Sequence, residues 1–117
     1  MYRLRDRKLR QITIDHSEET PQQAGLPDTG MQSVKINNVI TRAVGAFEIL
    51  DLDCEYIDCL AGDKFLLCSD GLDKELSPIE IERILNEDHR NDADALMQEV
   101  LARQARDNIS LIVIAVS

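Results

Sequence analysis

Two aspartates, each fixed to one end of an apolar run, are the residues of this chain best placed to do chemistry. Asp70 closes the run Phe65-Leu66-Leu67-Cys68-Ser69 and is followed by Gly71-Leu72. Asp107 precedes the run Asn108-Ile109-Ser110-Leu111-Ile112-Val113-Ile114. A carboxylate at the edge of a buried strand is held there with little freedom to move. If the two strands are neighbours, both carboxylates reach one rim of the sheet. Carboxylate oxygens completed by water suit Mg²⁺ or Mn²⁺ in octahedral geometry. Gly71 lets the backbone turn sharply or approach another group closely, and Asn108 can orient its loop. Singly, Asp-Gly and Asp-Asn are ordinary turn dipeptides. The metal reading therefore rests on the pair.

The elements that must position this pair can be read from periodicity and punctuation. Tyr2-Arg3-Leu4-Arg5 and Leu9 to Ile14 alternate apolar and polar residues around Asp6-Arg7-Lys8, which predicts a β-hairpin with one solvated face. Residues 17–38 hold Pro21, Pro27, Gly25 and Gly30 among small polar residues and read as a long loop. Val39 to Val44 reads as a short strand closed by Gly45. Cys54 to Leu60 and Lys64 to Ser69 read as a strand pair joined through Ala61-Gly62-Asp63.

Ser77-Pro78-Ile79-Glu80 is a capping box with proline at the first helical position, and Ile81, Ile84 and Leu85 supply the buried stripe of that helix. A second helix is expected from near Asp92 to about Gln104, with Ala93, Leu96, Met97, Val100 and Leu101 on one face. Ile109 to Val116 is almost wholly apolar and β-branched, and reads as a central strand covered on both faces. The order is mostly strands, then two helices, then a strand. It predicts an α+β fold with helices packed on a sheet.

Composition narrows the function classes. The chain has 117 residues, enough for one domain or part of one, and 44% are hydrophobic, enough for a core. Aromatics make up only 3%, so the core must be aliphatic and stacking of nucleic-acid bases is disfavoured. Net charge is −9. Five basic residues (Arg3, Arg5, Arg7, Lys8, Arg10) face two acidic ones in the first 16 positions, and the remainder is strongly acidic. That balance argues against a nucleic-acid partner. The basic stretch reads first as a solvated hairpin face, and second as a surface for an anionic ligand such as a phosphopeptide.

Cys54, Cys59 and Cys68 are odd in number and lack metal spacing, so neither a disulfide framework nor a zinc site is expected. Cys68, inside an apolar run, reads as a small core residue. No apolar run approaches the about 20 residues of a membrane span, and no signal peptide is visible, which leads to the expectation of a cytoplasmic protein. His16, after Asp15, reads as a turn residue, and His89 as a loop residue.

Longer strings around the two aspartates sharpen the reading. Gly62-Asp63-Lys64-Phe65-Leu66-Leu67-Cys68-Ser69-Asp70-Gly71-Leu72 and Asp107-Asn108-Ile109-Ser110-Leu111-Ile112-Val113 resemble hallmark segments of the metal-dependent serine/threonine protein phosphatases of type 2C, bacterial type. Two further blocks fit in order. Tyr2 to Asp6 with Gln11 to Ser17 resembles the hairpin and following turn of that family, and Asn38 to Gly45 its threonine-arginine-alanine strand.

The resemblance implies a four-layer α-β-β-α sandwich of two antiparallel sheets between helix pairs. It implies two Mg²⁺ or Mn²⁺ ions, with Asp70 a ligand of one and Asp107 of the other. A water bridging ions at a typical separation of ~3.5–4 Å would attack phosphoserine or phosphothreonine without a phosphoenzyme. The implied partners are phosphorylated proteins and a cognate serine/threonine kinase, in signal transduction.

The resemblance also implies that residues 1–117 are the C-terminal half of such a domain, with 17–38 as a flap-like loop. Three family blocks expected upstream, including the aspartate that bridges the metals, are absent from these residues. Asp73-Lys74 stands where members often have threonine-aspartate, and Ala105-Arg106 where the approach to the Asp-Asn pair is glycine-rich. The expectation is a phosphatase fragment inactive alone. The alternatives are a non-catalytic phosphatase-like interaction module, prone to self-association through an unpaired half-core, and an acidic Ca²⁺ or Mg²⁺ binder.

Overall fold

A computed structural model of the protein describes residues 1–15, 45, 48, 52–87, 90–103 and 106–117. The expected strand at 39–44, the flap-like loop at 17–38, His16 and His89 lie outside the described residues. The chain divides into two units, one of Met1–Thr13 with Glu55–Ser117, the other Ile14–Cys54.

The basic N-terminal stretch forms the expected hairpin, β1 (Tyr2–Arg5) against β2 (Lys8–Gln11). Its two-residue loop, Asp6-Arg7, has positive φ at both positions (50° and 64°). This left-handed turn matches the twist of the strands it joins, and aspartate tolerates it better than most residues.

β3 (Lys64–Cys68) pairs antiparallel with β1 on one side and with β4 (Leu111–Ala115) on the other, giving the order β2-β1-β3-β4. Leu60-Ala61-Gly62-Asp63 makes the expected turn, with Gly62 at φ 91° and the Asp63 N–H donating to the Leu60 carbonyl at 3.0 Å. Residues 54–60 before it are not a strand. Their alternation suited one, but β3 has only two edges, and β1 and β4 fill both.

Three helices follow β3. α1 (Asp70–Glu75) begins directly after Ser69. α2 (Pro78–Asn86) starts at the expected capping box, in which Ser77 Oγ accepts from the Glu80 N–H and Glu80 Oε2 accepts from the Ser77 N–H. α3 (Asp92–Ala102) is capped by Asn91, whose Oδ1 accepts from Ala93 and Asp94 N–H groups.

The helices share one aliphatic core with one face of the sheet. Tyr2, Leu4 and Leu66 from the strands meet Leu72, Leu76, Ile81, Ile84, Leu85, Leu96 and Val100 from the helices and their caps. Cys68 packs against this core, as its run suggests. Lys64, at the start of β3, ties two helix ends to the sheet: Nζ donates to the Leu85 carbonyl at 2.8 Å and pairs with Asp92 at 2.8 Å.

Two expectations about burial fail. Leu101 is exposed on α3 although it keeps the helical period, so the buried stripe narrows to Leu96 and Val100. β4 is not a central strand covered on both faces. Among the described residues it lies at the sheet edge, with Ile112 59% and Ile114 47% exposed. Among the described residues the helices lie against one sheet face. Val113 and Leu111 reach the core from β4, and their neighbours point away from it.

Candidate functional site

The two aspartates meet because the two chain segments that carry them are stapled together. Ser69, between β3 and α1, donates its N–H to the Ser110 carbonyl at 2.9 Å, and its Oγ accepts from the Ser110 N–H at 3.0 Å. Its hydroxyl also donates to the Asn108 carbonyl at 3.4 Å. These bonds continue the β3–β4 pairing one step beyond the sheet. They set the start of α1 beside the 107–110 loop.

Gly71 completes the approach. A Cβ there would collide with the Asn108 carbonyl oxygen and lie 3.1 Å from Ile109 Cγ1. The glycine is thus used for close packing of α1 on the loop that follows Asp107.

α1 is short, and its orientation is held from outside. Tyr2 Oη in β1 donates to Asp73 Oδ1 at 2.8 Å. Arg103, after α3, donates to the Glu75 carbonyl at 2.8 Å and pairs with Glu80 at 2.7 Å and Glu99 at 2.8 Å. The Arg103 guanidinium holds the Glu80 carboxyl at about 2, well below its ordinary value, with help from the Ser77 cap.

A second ion pair fixes the other end of β3. Asp63 is buried, and Arg5 in β1 grips it through Nε at 2.8 Å and Nη2 at 2.6 Å. The Leu60 N–H donates to the same carboxylate at 2.9 Å. The Arg5 bond, then the Leu60 bond, lower the Asp63 pKa to about 2.

Asp70 is the first residue of α1 and Asp107 stands at the loop before β4, on one rim of the sheet as the spacing suggests. A third residue lies between them. Lys74 Nζ is 2.8 Å from Asp70 Oδ2 and 2.9 Å from Asp107 Oδ2. Asp107 Oδ1 accepts from the Asn108 N–H at 2.8 Å, so the Asn108 backbone orients the carboxylate. Hydrogen bonds to Asp70, then to Asp107, raise the Lys74 pKa. The Lys74 bond, then that of Asn108, lowers the pKa of Asp107.

Sequence reading marks Lys74 only as a departure from a pattern. The usable signal was its spacing four residues after Asp70, which puts both on one helix face. That signal needs α1 to be recognised as a helix.

The donor set fits a single ammonium better than an octahedral ion. Two carboxylates are few for Mg²⁺ or Mn²⁺, the place between them is taken by Nζ, and no group of three His, Cys, Asp or Glu side chains suited to a metal occurs among the described residues.

The fold is similar to that of solved type 2C serine/threonine phosphatases. No family model matches the sequence. The serine/threonine phosphatase stp of Listeria monocytogenes serotype 4b is 27% identical over 117 residues, covering 97% of this chain and 46% of that protein. Among solved structures, PppA, described as a key regulatory component of T6SS in Pseudomonas aeruginosa, superposes with a TM-score of 0.79 at 35% identity, over 97% of this chain and 46% of that one. The Mycobacterium tuberculosis serine/threonine phosphatase PstP/Ppp gives a TM-score of 0.78 at 28% identity, over 99% of this chain and 50% of that one. The chain spans about half the length of the curated relatives it matches.

Proposed function

We propose that this chain forms half of the catalytic domain of a Mn²⁺- or Mg²⁺-dependent protein serine/threonine phosphatase, and that it hydrolyses little or nothing by itself. The observation that carries the reading is the Ser69–Ser110 staple, which brings Asp70 and Asp107 to one point at the sheet rim. These two carboxylates are its contribution to a metal site. The remaining ligands, the central bridging carboxylate among them, belong to the other half of the domain. Substrates of the complete enzyme are phosphoserine and phosphothreonine proteins, and a serine/threonine kinase is the opposing partner in a cytoplasmic signalling pair. Among the described residues, no helix is long and apolar enough to cross a membrane.

The test is a Mn²⁺-dependent assay of the 117-residue chain on an aryl phosphate and a phosphopeptide. Turnover at the background level is expected. Robust turnover that disappears in Asp70→Asn would show that the chain is a complete enzyme and overturn the claim of inactivity.

A further inference from the structure

We propose that Lys74 is a tethered counter-cation that stands in for a divalent ion between Asp70 and Asp107, so that a metal can reach this carboxylate pair only by displacing it. The inference rests on the reading of these carboxylates as metal ligands and adds a device that the family resemblance does not supply. An Asp70–Lys74 pair at i and i+4 would by itself be ordinary helix support. The second carboxylate comes from 33 residues away and reaches the same Nζ. Two of the three ammonium donors are thereby spent on the two residues assigned to metal binding.

The charge arithmetic favours this role. Two carboxylates held at one rim repel each other unless a cation lies between them. A divalent ion would neutralise both. Lys74 neutralises one charge, but it is covalently attached and always present at high local concentration.

Its position is also built. Asp70 and Asp73 occupy the first turn of α1 and Lys74 the last, an arrangement that the helix dipole supports. Gly71 holds that helix against the loop carrying Asp107. The pairs are partly exposed, with Lys74 at 40% and Asp107 at 44%, so water moderates their strength and a metal can compete.

The experiment is Mn²⁺ titration of the 117-residue chain, read by calorimetry and by the electron paramagnetic resonance signal of free Mn²⁺. Lys74→Gln and Lys74→Met remove the charge and Lys74→Arg keeps it. Lys74→Gln/Asp107→Asn tests whether the same carboxylates are involved. Circular dichroism checks that each variant is folded, and two uncharged variants guard against the failure of either one.

Both uncharged variants are expected to bind Mn²⁺ about tenfold tighter than the wild type, given two exposed ion pairs relieved, while Lys74→Arg stays near the wild type. The double variant should lose the gain. Equal or weaker affinity in the uncharged variants, or no measurable binding in any form, overturns the tether. If the double variant binds as well as Lys74→Gln, the ligand assignment fails instead. If the tether falls while Asp107→Asn alone still abolishes wild-type binding, that assignment stands.

Discussion

At the scale of single residues, the two charged centres differ in what holds them. Asp63 is enclosed by Arg5 and the Leu60 N–H, and its pKa falls from 3.8 to about 2. A carboxylate whose pKa is depressed on folding adds stability that is present in full above its unfolded value and is lost as pH falls through its folded value. The wild-type protein should therefore lose stability between pH 3.8 and about 2 partly through this group. Asp63→Asn should be less stable at neutral pH and show a flatter acid limb across that window, as followed by thermal melts at successive pH values. An unchanged acid limb would assign the loss to other carboxylates. Asp70 and Asp107 were legible in the sequence because long apolar runs flank them. Arg5–Asp63 and Lys74–Asp107 were not, since each joins residues whose proximity depends on the finished sheet.

At the scale of elements, local chemistry decided what could be foreseen. α2 was legible to its first residue because the Ser77–Glu80 capping box and Pro78 act within one turn. α1 was not foreseen. Six residues give little period to read, and Ser69-Asp70-Gly71 has turn composition. The 54–60 segment was misread for a different reason: alternation reports that a strand would fit, but not that both edges of β3, its expected partner, are taken by β1 and β4. Gly71 in α1 lies against the Asn108 carbonyl, with no room for a Cβ. Gly71→Ala must push α1 off the loop before β4, at a cost of about 1–3 kcal/mol for overpacking. It should lower the melting temperature and broaden amide signals of residues 107–110. A variant as stable as the wild type, with those signals unmoved, would show that the loop yields freely.

At the scale of the whole molecule, the feature that matters is a sheet whose described helices lie against one face. Leu66 and Val113 are partners on the face that meets the core. On the opposite face Leu67 pairs with Ile112 and Phe65 with Ile114; of these Leu67, Ile112 and Ile114 are exposed, whereas Phe65 is buried. The stretch from Ile109 to Val116 suggests a strand buried on both sides, and that is how such a composition is normally used. That composition is more apolar than the exposure of Ile112 and Ile114 among the described residues would call for. β4 also lacks the charges and prolines that usually protect an edge strand. An apolar face joined to an unprotected edge should draw two copies of the chain together when nothing else covers it. Sedimentation velocity should show concentration-dependent association, and Ile112→Lys/Ile114→Lys should shift the chain to a monomer while circular dichroism stays the same. A wild-type chain that remains monomeric across the concentrations tested would mean that this face is tolerated in water, and that the apolar composition of β4 has another cause.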